Sequence, residues 1–373
     1  MNNSSQYLLS DSADYNSVDY EVSPEEIPDA TRGPAFLVAS VVIAMSLVTI
    51  MAVCGAGNCA FIISLLRDGR RRGLTDLLMA NLAVSDTLVA AICCPLLLDY
   101  YVISRLSWRH GLVACAVVNY LRTLSLHVST NALLAIAVDR YAAIVHPLGP
   151  GLPSHMWYIV LIAVWGVPAV ISIPSATMSS ETEYPHGQSG PPKTFCAQIW
   201  PVDQRVLYRS YFLLVLALEF LVPVLVMAVC YARISKELWF KKVPGFQTLQ
   251  IRKRLRKRRR TVLVLMLVLL AYILCWTPYY GFSLLRDFYP TVISRDRNAL
   301  VVFYIMECVA MSNGVINTLC FVSVRHKARK NAKSKQCIPA PLVLFVSNKS
   351  ICDEARTSSL RVTEELEGGS HRS

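Results

Sequence analysis

Charge is scarce in this sequence. Asp, Glu, Lys and Arg make up 17% of its 373 residues against 54% hydrophobic, and a soluble domain carries nearer a quarter charged, so an ordinary soluble fold is excluded. Glycine (16) and proline (19) stay at ordinary levels and follow no period, which excludes collagen-like and low-complexity chains. Histidine is sparse and scattered: His110, His127, His146, His155, His186, His326 and His371 share no ligand spacing. No nucleophile–base pair stands beside them, so neither an enzyme nor a resident cofactor is expected. The N-terminus lacks a basic segment followed by an apolar one, so no cleavable signal peptide is expected. Cysteine is not scarce, but most of the 12 lie inside apolar runs, where they read as small hydrophobes rather than a disulfide framework.

What the chain has instead is long apolar runs. A bilayer core roughly 30 Å thick takes about 20 helical residues to cross. Such runs occur near residues 36–66, 77–98, 112–138, 156–178, 211–232, 261–285 and 299–322. The fold class they predict is an all-α membrane protein, a seven-transmembrane helix bundle, with the third span weakest on hydropathy. Lys and Arg are retained on the cytoplasmic side. With the N-terminus outside, the inner segments 67–72, 139–155, 233–260 and 325–335 hold 4, 1, 12 and 6 of them, against 9 outside. That asymmetry predicts an extracellular N-terminus. It also places the net charge of +12 at a membrane surface rather than on nucleic acid. The run 252–260, rich in Arg and Lys, reads as the cytoplasmic extension of the sixth span against anionic lipid.

Four domains follow: an acidic extracellular tail over 1–34, the bundle over 35–324, a short amphipathic juxtamembrane helix over 325–336 and a cytoplasmic tail over 337–373. The first tail carries seven acids against Arg32 alone. Asn2 and Asn3 each head an Asn-x-Ser sequon, candidate glycosylation sites with an unmodified tail as the alternative. Cys337 is a palmitoylation candidate, with a free thiol as the alternative. Cys115 and Cys196 fall on the outer side, where a bridge between them would pin the loop 179–210 over the bundle mouth. Two free thiols are the other reading.

Four spans each carry one charged residue: Asp86, Arg122, Glu219 and Glu307. Each costs at least ~2.5–3.5 kcal/mol in hydrocarbon, so each should face the bundle interior or water. In the third span Asn119, Arg122, Leu126, Ser129, Leu133, Ile136 and Arg140 follow at steps of three and four, which makes one inward stripe. Asp139 neutralises Arg140 next to it, either as a switch or as a snorkelling pair at the interface. Asp86, Ser129, Asn313 and Asn317 bring oxygens to compatible depth. They suit a small hard cation such as Na⁺ with water, or a hydrogen-bonded polar knot that fixes packing. Pro223 and Pro278 free carbonyls and predict kinks, the second beside Trp276.

The ordered set Asn58, Leu82-Ala-Val-Ser-Asp86, Cys115, Asp139-Arg140-Tyr141, Trp165, Cys196, Pro223 with Tyr231, and Cys275-Trp276-Thr277-Pro278 resembles the rhodopsin-like (class A) G-protein-coupled receptors. One motif departs from that class: Asn317-Thr318-Leu319-Cys320-Phe321 stands where Asn-Pro-x-x-Tyr is expected. Within the class, Cys93-Cys-Pro-Leu-Leu-Leu-Asp-Tyr-Tyr101, Val118-Asn-Tyr-Leu-Arg-Thr123, Val128-Ser-Thr-Asn-Ala-Leu-Leu-Ala-Ile136, Gln198-Ile-Trp-Pro-Val-Asp-Gln204, Cys230-Tyr-Ala-Arg-Ile234, Trp239-Phe-Lys-Lys-Val-Pro-Gly-Phe-Gln247 and Met311-Ser-Asn313 resemble the prokineticin receptors. Here too there is a departure, because Leu96-Leu97-Leu98 stands where a glutamate is expected, which removes an acidic partner for Arg122.

The resemblance implies a multi-pass plasma-membrane receptor for secreted prokineticins, small disulfide-rich proteins with an apolar N-terminal stretch. It implies signalling through a heterotrimeric G protein of the Gq type to phospholipase C and calcium, with arrestin and receptor kinases as further partners. Asn119, Arg122, Glu219, Arg286 and Glu307 lie toward the outer half and form the candidate ligand site. An acid there would accept a peptide amine while Arg122 and Arg286 hold carbonyls. The alternative is internal ion pairs, Glu219 with Arg286 or Glu307 with Arg122. Asp139, Arg140, Tyr141, Tyr231, Trp276, Pro278 and Asn317 are the candidate activation switch. A receptor for another peptide and an ion-coupled transporter are the competing functions; the transporter is disfavoured because the halves show no inverted repeat.

Overall fold

The computed structural model describes residues 34–67, 73–147, 153–186, 190–201, 205–240, 249–289 and 299–336. Asn2, Asn3 and Cys337 lie outside the described residues. Among the described residues seven helices are long and apolar enough to cross a membrane: Phe36–Leu66, Leu74–Ile103, Gly111–Val145, His155–Thr177, Val206–Trp239, Leu255–Phe288 and Val301–Arg325. Six of them begin earlier or end later than the apolar runs alone predict. The reason is physical: hydropathy marks where a helix meets hydrocarbon, whereas helical hydrogen bonding continues into the polar boundary. At 1.5 Å per residue the 35-residue third helix is about 52 Å long, well beyond a core of roughly 30 Å.

The chain forms two compact units, Met1–Phe321 and Val322–Ser373. The first holds the bundle. In the second the described residues, 322–336, are helical and belong to the element Asn313–Gln336. Residues 325–336, expected as a separate short helix, are helical as part of that one element.

Each span turns one face inward. On the first, Ala39, Ile43, Leu47, Ile50 and Cys54 are buried, while Leu37, Val41, Met45 and Val48 are exposed. Large apolar side chains on the outer face are what a helix needs when lipid is its solvent. The third span packs against the second, fourth and fifth, and its buried set includes Asn119, Ser125, His127, Ser129 and Thr130. Its low hydropathy thus reflects position, because a central helix can carry polar groups that neighbouring helices satisfy.

Two helices touch backbone to side chain. A Cβ at Gly57 would stand 2.6 Å from Thr318 Cγ2, so the first and seventh spans approach as closely as they do only because residue 57 is glycine. The seventh span breaks at Ser312, between Ala299–Met311 and Asn313–Gln336, and the Ser312 hydroxyl donates to the Cys308 carbonyl (2.8 Å).

The segment 179–210, read from sequence as a loop, contains an antiparallel hairpin. Strand β1 (Ser179–His186) pairs with β2 (Gly190–Gln198), and Glu181 faces Cys196. Pro191 and Pro192 inside β2 argue against a strand on sequence grounds. Tertiary ties override them: Cys196 is disulfide-bonded to Cys115, and the Trp108 N–H donates to the Thr194 carbonyl (2.7 Å).

Candidate ligand cavity and the polar path beneath it

A cavity of about 690 Å³ opens at the hairpin end of the bundle. Four of the five candidate ligand residues line it: Asn119, Arg122, Arg286 and Glu307. On one side the Arg122 guanidinium donates to Glu307 Oε1, and the Tyr101 hydroxyl donates to Glu307 Oε2 (2.8 Å). Asn119 ties this pair to the hairpin, accepting from Arg122 at Oδ1 (3.3 Å) and donating from Nδ2 to Ser179 Oγ (2.9 Å). On the other side Arg286 Nε donates to Asp287 Oδ1 (2.7 Å), and the Tyr208 hydroxyl donates to Asp287 Oδ2 (2.6 Å). Arg209 reaches the same corner and donates to the Asp287 backbone carbonyl (2.9 Å). Of the two internal pairings weighed from sequence, Arg122–Glu307 is present; Arg286 instead takes its own neighbour, Asp287.

Glu219 is not among the cavity-lining residues. It is 2% exposed and sits in a π-helical turn, Ala217–Leu221. Several lining residues were not singled out by sequence reasoning. Tyr101 and Tyr304 stack at 4.3 Å, Tyr100 meets Trp108 edge-on at 5.6 Å, and Arg286 lies 5.2 Å over the Phe303 ring. Aromatic residues in apolar spans look like lipid-facing bulk, so of these residues the charged ones, Arg209 and Asp287, left a signal.

Below the cavity, Tyr272 joins three spans. Its hydroxyl is 2.8 Å from Thr130 Oγ on the third span and 3.1 Å from the Glu219 backbone carbonyl on the fifth. Pro223, four residues on, has no N–H to offer that carbonyl. Thr130 Oγ also lies 3.0 Å from the Leu126 carbonyl. Each hydroxyl has one proton, so the chain is satisfied in either direction: Thr130 to Tyr272 to Glu219, or Tyr272 to Thr130 to Leu126.

Arg122 also lines a second, smaller pocket of about 40 Å³ that contains Asp86, Ser129, Trp276 and Asn313. Asp86 Oδ2, Asn313 Oδ1 and Trp276 Nε1 are buried without a partner among the described residues. Ser85 Oγ lies 2.9 Å from Ser125 Oγ and 3.3 Å from Ser129 Oγ. Asn317 is not in this lining; it is fully buried, and both its amide atoms lack a partner among the described residues. Next to it, Thr318 shares its hydroxyl proton between the Gly314 carbonyl (2.8 Å) and Asn58 Oδ1 (3.1 Å). Where the class carries proline, this chain has a hydroxyl that links the seventh span to the first.

At the opposite end Arg140 is held twice, by Asp139 Oδ2 (2.6 Å) and by Thr75 Oγ on the second span, while Thr75 donates to Asp139 (2.6 Å). Tyr231 is buried nearby on the fifth span, and Tyr141 packs edge-on to His146. Arg259, in the helical extension Leu249–Phe288, donates to the Leu238 carbonyl (2.6 and 2.9 Å) and lies over the Trp239 ring. It therefore clasps the sixth span to the fifth.

The family profile of the 7 transmembrane receptors (rhodopsin family) matches residues 57–321. Prokineticin receptor 1 of Rattus norvegicus is 53% identical over 349 residues, covering 94% of this chain and 88% of that one. Prokineticin receptor 2 of Bos taurus is 53% identical over 349 residues (94% and 91%), and prokineticin receptor 2 of Homo sapiens 52% over 349 (94% and 91%). The chain belongs to the rhodopsin family of seven-transmembrane receptors and, within it, to the prokineticin receptor family. It is a multi-pass plasma-membrane receptor and not an enzyme, and the transporter reading falls away.

Proposed function

We propose that this receptor responds to secreted prokineticin-type peptides, with an apolar segment of the peptide entering the cavity beneath the hairpin. The observation that carries the reading is the cavity itself. Three guanidiniums and a wall of aromatic rings lie under a disulfide-tethered hairpin, in a chain 53% identical to receptors named for prokineticins. Arg122, Arg286 and Asn119 supply hydrogen bonds to peptide carbonyls, and the rings supply apolar contact. The excess of Lys and Arg on the loops of the Arg140 end supports an extracellular N-terminus.

In this reading ligand at the cavity draws on Arg122, and the change passes through Trp276 and the Tyr272 bridge to Arg140. Release of Arg140 from Asp139 and Thr75 opens the inner face to a G protein of the Gq type, with phospholipase C and calcium downstream, and later to receptor kinases and arrestin. The unpartnered oxygens of Asp86 and Asn313, with Ser129, fit a small hard cation such as Na⁺ together with water. Asp86 would hold it, and its charge would favour the ligand-free arrangement. Residues 325–336 then lie on the inner leaflet, and Cys337 and the sequons at Asn2 and Asn3 remain modification sites to be tested. A receptor for a different peptide is the alternative.

The test is calcium release in transfected cells given a prokineticin, with wild type and Arg122→Ala compared at equal surface expression. A dose-dependent response that Arg122→Ala weakens at least 10-fold is expected, since a charge-assisted hydrogen bond is worth ~1.5–3 kcal/mol. Silence of the surface-expressed wild type at every dose contradicts the ligand assignment.

A further inference from the structure

The cavity shows its cations and hides its acids. Arg122 and Glu307 have side-chain exposures of 19% and 4%, and Arg286 and Asp287 have 41% and 6%. In each pair the carboxylate lies behind the guanidinium, and both its oxygens are engaged. Glu307 receives Arg122 at Oε1 and the Tyr101 hydroxyl at Oε2. Asp287 receives Arg286 at Oδ1 and, at Oδ2, both the Tyr208 hydroxyl and Arg286 Nη2 (3.2 Å). The third lining cation, Arg209, is bound to a neutral carbonyl, so three arginines face two acids among the lining residues. Glu181 and Glu183 on β1 are exposed and lie outside the lining.

A cationic group entering this space finds donors where it needs acceptors. To reach a carboxylate it must displace a guanidinium from a buried acid whose two oxygens are both engaged, which is unfavourable and most so at Glu307. A group rich in carbonyls, or an anion, meets ready donors instead. The position that would change this is visible. Of Leu96, Leu97 and Leu98, where a glutamate is expected from the family likeness, Leu97 alone lines the cavity and is 3% exposed. A carboxylate there would add a third acid to the lining, beside two that Tyr101 and Tyr208 already engage.

We infer that the cavity selects an acceptor-rich ligand segment that carries no positive charge, and that Leu97 is the specificity-determining residue. The inference rests on the proposed peptide reading and sharpens it: the ligand's amine is not bound through Glu307 or Asp287, and the peptide is held by its carbonyls and apolar side chains.

The experiment compares a prokineticin with a free α-amino group and its des-amino analogue, in which hydrogen replaces that group without added bulk. Calcium release is read on wild type, Leu97→Glu and the neutral control Leu97→Gln at matched surface expression. On wild type the two peptides are expected to agree within about 3-fold. On Leu97→Glu the free-amine form is expected to gain about 10-fold over the des-amino form, and on Leu97→Gln no preference appears. A wild-type response to the free amine that falls 10-fold or more for the des-amino form overturns the inference and leaves the peptide assignment standing. Equal potencies on a surface-expressed Leu97→Glu overturn the role of Leu97. Should Leu97→Glu fail to reach the surface, the wild-type comparison alone still decides the charge requirement. Silence of wild type toward both peptides overturns the peptide assignment, and this inference with it.

Discussion

At the residue scale the site is governed by how buried charge is paired. Glu307 is 3% exposed and answers the Arg122 charge from within the bundle. Removing one member of such a pair leaves an uncompensated charge, typically a loss of about 3–5 kcal/mol, whereas an apolar replacement of both members is often neutral. Glu307→Ala is therefore expected to lower the thermal stability and surface level of the receptor sharply. The double variant Arg122→Met with Glu307→Met should recover both without recovering the calcium response. Thermal unfolding of the purified proteins checks this, and equal stability of wild type and Glu307→Ala would contradict it. The Tyr272 hydroxyl acts by hydrogen bonding, apart from the packing of its ring. Tyr272→Phe keeps the ring but removes the hydroxyl that Thr130 and the Glu219 carbonyl share, at a cost of about 1–3 kcal/mol for a buried unsatisfied group. Loosening the tie between the third, fifth and sixth spans should raise ligand-free nucleotide exchange on a G protein; unchanged basal exchange would contradict that role. These residues were unequally legible in the sequence. Asp86, Arg122 and Glu307 announce themselves because a charge inside an apolar run must be accounted for. Tyr101, Tyr272 and Tyr304 do not, since an aromatic in a membrane span reads equally as lipid-facing bulk. Glu219 misled: its helix depth resembles that of the cavity residues, but the π-helical turn and the packing of Tyr272 place it outside the lining.

At the scale of elements, close approach and tethering decide the geometry. The first and seventh spans meet where Gly57 faces Thr318 Cγ2. Gly57→Ala should destabilise by about 1–3 kcal/mol through overpacking. Adding Thr318→Ser, which deletes the clashing methyl and keeps the hydroxyl to Asn58, should restore most of the loss. Additive losses in this double-mutant cycle would show that the contact is not the cause. The hairpin offers a second test. Cys196→Ser frees β2 from the third span, and loss of a native bridge typically costs about 2–5 kcal/mol. Peptide potency should fall more than surface expression, because β2 forms part of the cavity wall. Seven spans were legible because bilayer thickness imposes one length on them all. The hairpin was not, since two prolines conceal a strand that a disulfide and the Trp108 contact hold in place. The break at Ser312 was likewise hidden: the seventh span lacks the proline that marks such a bend elsewhere in its class, and a serine hydroxyl bonding its own helix leaves little trace in a sequence.

At the scale of the whole molecule the bundle places the cavity at the hairpin end and Arg140 at the opposite end on one helix. Arg122 and Arg140 are 18 residues apart in the third span, about 27 Å along its axis. Arg122 lines both the cavity and the polar pocket below it. Beneath them, Tyr272 of the sixth span bridges to the third and fifth, and Arg259 clasps the fifth and sixth at the far end. The central claim is that an event at the cavity is felt at the Arg140 end as movement of the sixth span. Spin labels at Ala142 and Lys257, both exposed, measure that distance directly by pulsed electron resonance in the purified receptor. Addition of peptide is predicted to shift the distribution to longer distances in wild type and to leave it unchanged in Arg122→Ala. A distribution that peptide does not move in wild type, in a preparation that still activates G protein, would contradict the account.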